Sequence, residues 1–236
     1  QFSDIGTLGD LETALAQAGA LGGVLKTRRL GYDGKGQVRL KKDETDLAAA
    51  LEAMAGAPCI FEHWVPFKRE ISVIGVRDQH GETVTYDPAE NVHRDGILRS
   101  STLPALSQND VQKRARTMTA QIAEALGYVG AIGVEFFETE TGELLVNEIA
   151  PRVHNSGHWT EAACLTSQFE NHIRAIAGLP LQPTTRHSDC VMENIIGEDM
   201  DKVHRFSKAP STRLHLYGKR ETRQGRKMGH LTRLTS

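Results

Sequence analysis

A chain of 236 residues, 39% hydrophobic and 25% charged, holds enough apolar material for one large globular unit or two modest ones and falls outside the disordered class. No apolar run approaches the roughly 18–20 residues needed to cross a bilayer, and the opening QFSDIGTLGD has neither the basic start nor the apolar core of an export signal. The net charge of −2 hides an asymmetry, because residues 201–236 carry 10 Lys or Arg against 2 Asp or Glu, and the strand-like RLHLYG at 213–218 makes this basic end a folded surface rather than a nucleic-acid tail.

In chain order, DLETALAQAGA at 10–20 has helical spacing and VLKT at 24–27 reads as a short buried strand. A glycine-rich turn leads to the return strand QVRLK, and Asp43 is placed to cap a helix through DLAAALEAM. CIFEHWV at 59–65 and EISVIGV at 70–76 are rich in β-branched and apolar residues; with Pro66 between them, they are expected as neighbouring strands. More strands are predicted over 83–103 around a turn at Arg94, Asp95 and Gly96, then a long helix from Gln108 to Leu126 stopped by Gly127. AIGVEFFET and ELLVNEIA form a predicted hairpin turning at Thr141 and Gly142. A helix near SQFENHIRAIAG, closed by Gly178 and Pro180, precedes strands near 189–196, 213–218 and 230–233.

Three constellations can carry chemistry. On the hairpin, Glu135 and Glu148, with Asn147 beside the latter, become neighbours under antiparallel pairing. Facing carboxylates repel unless a cation intervenes, and hard oxygen ligands completed by phosphates suit Mg2+; a pair of solvated strand residues is the bland alternative. In LKTRRLGYDGKGQ at 25–37, three glycines flank Tyr32, Asp33 and Lys35 just after Lys26, so backbone amides and a fixed cation can surround phosphate oxygens. A plain hairpin turn would look alike, and GxxxxGK[ST] is absent. In APRVHNSGHW at 150–159, Arg152 offers a planar fork for an anion and His154 a proton carrier near neutral pH. His154 and His158 are spaced for zinc on a helix, but Ser156 and Gly157 favour a loop and HExxH is missing. Near the end, Arg226 and Lys227 sit in a glycine-flanked turn. Cys59, Cys164 and Cys190 have no CxxC spacing and no nucleophilic setting, which argues against disulfides, zinc knuckles and acyl-enzyme chemistry and for a reducing cytoplasm.

Taken together, LKTRRLGYDGKGQ, ENVHRDGIL, GVEFFETETGELLVNEIAPRVHNSGHWT, SQFENHIRAIAGLPL and GRKMGHL resemble the N5-carboxyaminoimidazole ribonucleotide synthetase family of ATP-grasp ligases in order and spacing, over nearly the whole chain. NEIAPRVHNSGHWT is the most specific stretch. The resemblance implies an α/β fold of α+β type: an ATP-grasp lid over 1–62, a larger mixed-sheet catalytic subdomain over 63–186, and a β-rich region over 187–236 that completes the substrate site. It implies ATP between lid and catalytic subdomain. Lys26 and the loop Gly31, Tyr32, Asp33, Gly34, Lys35, Gly36 and Gln37 would then cover phosphates. Glu62, His63, Trp64 and Val65 would meet adenine, Glu70 ribose, and His93 and Asn147 the same nucleotide shell. Glu135 and Glu148 match the family's Mg2+ ligands, with Mn2+ as an alternative ion. Tyr32, Asp33, Arg152, His154, Arg226 and Lys227 match positions around bicarbonate and 5-aminoimidazole ribonucleotide, with Arg152, His154 and Lys227 in catalytic roles.

The implied reaction is ATP-dependent carboxylation of that ribonucleotide through carboxyphosphate, in a cytoplasmic homodimer that binds neither nucleic acid nor membrane. The family also carries an amino-terminal domain of roughly a hundred residues ahead of the first residue here, so part of the substrate site is expected to be unsupplied and the chain by itself inactive. The competing readings are another ATP-grasp ligase, such as a formate-dependent glycinamide ribonucleotide transformylase, and an ATP-binding module without turnover.

Overall fold

Thr7 starts the first helix, three residues ahead of the expected start at Asp10: its side chain accepts from the Asp10 amide while the Asp10 carboxylate accepts from the Thr7 amide, satisfying two of the helix's otherwise unpaired donors. The computed structural model that shows this describes residues 1–29, 36–42, 46–206, 208 and 210–235. Two compact units emerge, Gln1–Pro66 with Asp95–Ile97, and Phe67–Arg94 with Leu98–Ser236.

The first unit contains β1 (Phe2–Ile5), α1 (Leu8–Ala18), β2 (Gly23–Thr27), β3 (Gln37–Leu40), α2 (Leu47–Glu52) and β4 (Cys59–His63). Its sheet runs β1-β4-β2-β3, with Leu11, Ala14 and Leu15 of α1 packed on Leu25, Leu40 and Phe61. The cap of α2 is Asp46, whose carboxylate accepts from the Ala49 amide, and not the expected Asp43, which lies outside the described residues. Asp46 stands immediately before the first helical residue, where a side-chain oxygen reaches the free amides.

The second unit contains β5 (Arg69–Arg77), β6 (Thr83–Thr85), β7 (Ala89–Arg94), β8 (Ile97–Leu103), α3 (Asn109–Ala125), β9 (Gly130–Glu138), β10 (Leu144–Ala150), α4 (Thr160–Ala163), α5 (Gln168–Ile176), β11 (Cys190–Ile196), α6 (Val203–Phe206), β12 (Thr212–Leu216) and β13 (Lys227–Leu234). A nine-stranded sheet follows the order β10-β9-β5-β7-β8-β11-β13-β12, with β6 paired to β5. Two expectations are corrected here. Strands β4 and β5 are not neighbours, because β4 has β1 on one side and β2 on the other and offers β5 no free edge. The sheet is antiparallel rather than mixed in every pair with a defined register, because hairpins join many of its strands, whereas parallel pairs need crossovers of a dozen residues or more.

Strand alternation gives this sheet two unlike faces. On one, Ile71, Val73, Ile132, Val134 and Phe136 pack under Val111, Ala115 and Ala123, which with Thr119 form the buried stripe of α3 at four-residue spacing. Gly75 allows that approach, since a Cβ there would lie 2.9 Å from Thr119 Cγ2. The other face is divided: Ile74, Val76, Ala131 and Met192 join Trp159 and Ala163 in an apolar core, while Glu70, Ser72, Asn91 and Glu135 form a polar stretch of the same face. The basic carboxy-terminal segment is folded into this sheet through β12 and β13. Among the described residues the three cysteines are free and buried, and no helix is long and apolar enough to cross a membrane.

Candidate active site

Two irregularities of the sheet aim the charged residues of the polar stretch. Leu144, Leu145 and Val146 pair in step with Glu138, Phe137 and Phe136, then the register slips so that Glu148 stands opposite Glu135, with Asn147 as the extra residue. A regular hairpin would have set Asn147 there and sent Glu148 to the α3 side. A second slip, between Ile195 and Ile196, sets Ile196 opposite Lys227, with Met228 extra. Lys227 therefore shares the carboxylates' face, while Met228 enters the core with Ile195 and Leu231. Bulges of this kind re-aim side chains next to active sites. Lys227 is the first residue of β13 and not, as expected, part of the preceding turn.

Glu135 is 8% exposed, and burial pushes its carboxyl up to about 7; the His93 charge opposes the rise, the Glu148 and Glu70 charges add to it, and Lys227 opposes it. Glu148 itself is exposed and flanked by the exposed Val146 and Ile149, so the apolar surroundings expected for both carboxylates hold for Glu135 alone. On neighbouring strands Glu70 and His93 form an ion pair. Burial pulls the His93 pKa down, but the Glu70 bond and charge, with Glu135, outweigh it, and the net shift is upward against Lys227.

His154 reaches the same carboxyl from the 150–159 segment, its Nδ1 3.9 Å from Glu135 Oε1. Its backbone is clamped by Gln168, which accepts from the His154 amide at 2.9 Å and donates to its carbonyl at 2.7 Å. The ring bonds Ser156 Oγ at 2.9 Å, and Ser72 Oγ donates to Ser156 Oγ at 2.8 Å, tying the loop to β5. Gly133 makes room, since a Cβ on it would fall 2.7 Å from His154 Cβ. His154 and His158 are not on one helix: a short 3-10 turn, Asn155–Gly157, separates them. Arg152 is exposed and donates to the Val153 carbonyl, and its charge is felt at His158. Arg226 donates to the Glu221 carbonyl at 3.0 Å.

The ordering roles of Ser72, Ser156 and Gln168 were not legible in the sequence, although Ser156 and Gln168 lie within the quoted stretches. Nor was a ring cluster built from His158, His215, His230 and Tyr217. His158 and His230 lie 4.5 Å apart by ring centroid, His215 stacks on His230 at 4.8 Å, and Tyr217 Oη lies 3.2 Å from His158 Nδ1 and 2.9 Å from His230 Nδ1. Burial pulls His158 down to about 4, helped by the charges of His154, Lys227, His215 and Arg152, and His230 down to about 3, helped by His158 and His215. One histidine on each of two late strands, His215 and His230, was the available signal.

In the first unit Lys26 and Glu62, expected at phosphate and adenine respectively, form an ion pair with each other. The Arg39 guanidinium lies 3.1 Å over the Trp64 ring, His63 has a buried Nε2 with no hydrogen-bond partner among the described residues, and Gly36 accepts from the Thr27 amide at a positive φ of 72°. Val65 and Gln37 accompany them, half-buried and exposed. Gly31, Tyr32, Asp33, Gly34 and Lys35 lie outside the described residues.

The donor set of the second unit fits a hard divalent cation. Two carboxylates face each other in register, one held toward its neutral form by burial, and a cation would favour ionisation of both.

Residues 1–169 match the ATP-grasp domain, and residues 190–236 match the phosphoribosylaminoimidazole carboxylase C-terminal domain. The chain is 58% identical to an N5-carboxyaminoimidazole ribonucleotide synthase of Brucella melitensis, over 95% of this chain and 63% of that protein. It is 44% identical to the Bacillus subtilis protein of that name, over 98% and 60%. Among solved structures, the ADP complex of an N5-carboxyaminoimidazole ribonucleotide synthetase superposes with a TM-score of 0.93 at 42% identity, covering 100% of this chain and 62% of that one. The Aspergillus clavatus synthase with ADP and 5-aminoimidazole ribonucleotide gives 0.91 at 31% identity, covering 100% and 63%. The chain thus spans 60–63% of the length of these relatives.

Proposed function

Because the chain belongs to the ATP-grasp family and carries the phosphoribosylaminoimidazole carboxylase C-terminal domain, we propose that it is the nucleotide- and acceptor-binding part of a ligase that carboxylates 5-aminoimidazole ribonucleotide with bicarbonate at the expense of ATP. The observation that carries this reading is the register-opposed pair Glu135 and Glu148, joined on one face by Lys227 and by His154 of the RVHNSGHW segment.

A bicarbonate oxygen bonds to the γ-phosphorus as the bond to the β-phosphate oxygen breaks, giving carboxyphosphate and ADP. Carboxyphosphate then releases carbon dioxide and phosphate; the acceptor amine bonds to the carbon and loses a proton. Glu135 and Glu148 would hold Mg2+, or Mn2+ in its place, which when bound offsets charge on the phosphates. Charge placement is the main catalytic device for such a transfer. Lys227 and Arg152 set positive charge near the carboxylates and His158, suited to bicarbonate and carboxyphosphate, and Arg226 stands one residue before Lys227. His154, fixed by Gln168 and Ser156, is positioned to carry the amine proton. Lys26, Gly36 and Gln37, with the glycine loop before them, serve the phosphates. Glu62 to Val65 serve adenine, while Glu70 with His93, and Asn147, serve the nucleotide shell.

The lid, catalytic and carboxy-terminal assignments, 1–62, 63–186 and 187–236, belong to this proposal. So does a cytoplasmic setting, which three unpaired buried thiols support. The homodimer rests on the family resemblance and is checked by sedimentation velocity.

ADP release measured with bicarbonate and 5-aminoimidazole ribonucleotide each omitted in turn, on this chain and on one extended to the relatives' full length, tests the reading. Dependence on both substrates is expected in the extended chain. ADP release indifferent to both would reject it, and ATP binding without turnover in either form would favour a binding module.

A further inference from the structure

We propose that Glu161, His215 and His230 form a second metal site, for a divalent transition ion of the zinc class, tying α4 to the β12–β13 hairpin. Glu161 lies far along the chain from the hairpin that carries His215 and His230, yet each of the three sets a ligand atom within 4.8 Å of the other two. His215 and His230 stand directly opposite each other on β12 and β13, where cross-strand side chains on one face meet, and Glu161 reaches over them from α4.

The stronger observation is the state of His230, which is 2% exposed. Its Nδ1 is taken by Tyr217 Oη at 2.9 Å, while Nε2 is buried with no hydrogen-bond partner among the described residues. Tyr217 Oη also reaches His158 Nδ1 at 3.2 Å, and the Asn155 side-chain NH2 donates to that same nitrogen at 3.2 Å, which makes His158 Nδ1 an acceptor: Tyr217 donates to it and accepts from Nδ1–H of His230. That tautomer turns the Nε2 lone pair toward Glu161 Oε2, 3.8 Å away. A lone pair and a carboxylate then face each other with no hydrogen between them, a setting that a cation completes. A metal-binding histidine commonly donates its other N–H to a neighbour in this way.

Two imidazoles and a carboxylate suit zinc and its neighbours, whereas Mg2+ and Ca2+ take oxygen ligands. Tetrahedral bonds of about 2.0–2.1 Å bring ligand atoms to roughly 3.3 Å of one another. The site therefore closes by about an ångström, through the exposed Glu161 side chain and a turn of the half-buried His215 ring off its stack; water takes the fourth position. The ion would brace the hairpin that carries Lys227. The inference stands apart from the proposed reaction, since none of the three residues has a role in it.

The test is zinc titration of the chelator-stripped, tag-free chain against a chromophoric indicator, with the cobalt absorption spectrum and the melting temperature alongside. About one equivalent per chain, a tetrahedral cobalt spectrum and a higher melting temperature with zinc are expected. His215→Ala should weaken binding about 100-fold, and the isosteric, surface-directed Glu161→Gln about tenfold, while His80→Ala on an exposed turn and Glu148→Gln leave it intact. Absence of zinc binding by the unaltered chain overturns the proposal, as does unchanged binding in Glu161→Gln, or loss of the site in Glu148→Gln.

Discussion

On the strands at one side of the large sheet, burial pushes the Glu135 carboxyl up to about 7; toward the other, it pulls His158 down to about 4 and His230 down to about 3. Desolvation is the leading cause in all three and drives each group toward its neutral form, so the acid and the bases move in opposite directions. Neighbours then separate the two regions. Around Glu135 other carboxylates work with burial, and His93 and Lys227 against it; around His158 the nearby Lys227 and Arg152 charges work with burial. The acidic region thus holds a repulsion between carboxylates that a cation relieves, whereas in the imidazole region burial and ring packing hold His158 and His230 neutral.

Breaking the acidic region should have the largest effect. In the chain extended to family length, Glu148→Gln is expected to cut bicarbonate-dependent ADP release about 1,000-fold and leave the unfolding transition in place, because Glu148 is exposed. Normal ADP release from this variant would remove the metal assignment.

Next in size is the pH dependence of stability. A carboxyl with a raised folded pKa stabilises most below its ordinary value near 4.5 and loses that contribution as pH rises through about 7. The magnitude is about 3 kcal/mol. His158 and His230, depressed in the folded state, act with the opposite sign: their contribution is present above about 6.5 and is lost as pH falls toward 4 and 3. Urea unfolding of the parent chain and of Glu135→Gln, compared without divalent ions, should therefore give similar stabilities near pH 4.5 and a growing advantage for the variant as pH rises to 7. A constant difference would contradict the burial argument.

Lys227 links the two regions, since its charge lowers both the Glu135 and His158 pKa values. Lys227→Ala should raise both in an NMR titration. It should also reduce the yield of carbamate per ATP cleaved about tenfold, an effect of roughly 1.4 kcal/mol; unchanged coupling would deny it a substrate role. The smallest effect is expected within the imidazole cluster, where Tyr217→Phe removes one hydroxyl shared by two rings. A loss of about 1 kcal/mol in urea unfolding follows from the lost hydrogen bonds, with ADP release unaffected.

Local signals made much of this fold legible. The α3 stripe at four-residue spacing, the strands around Asp95 and Gly96, and the hairpin bearing both glutamates follow from periodicity and turn residues. Strand partnership did not follow: the proximity of β4 and β5 in sequence suggested pairing, but β4 already has two partners in another sheet. The candidate site was legible where a residue's type suggests a chemistry, as with Glu135, Glu148, His154 and Lys227. It was illegible where ordinary serines and a glutamine, Ser72, Ser156 and Gln168, hold the loop in place.

By itself the sequence determined that two carboxylates lie on successive strands of one hairpin, followed by a histidine-bearing loop and, far along the chain, a lysine. Only the tertiary structure decided that they converge. One extra residue at Asn147 turns Glu148 toward Glu135, and another at Met228 turns Lys227 toward both. A strand's side chains alternate with period two, so a single inserted residue reverses every side beyond it. The spacing of residues along the chain does not reveal where such a residue will go unpaired; the register demanded by the packed core on the other face does.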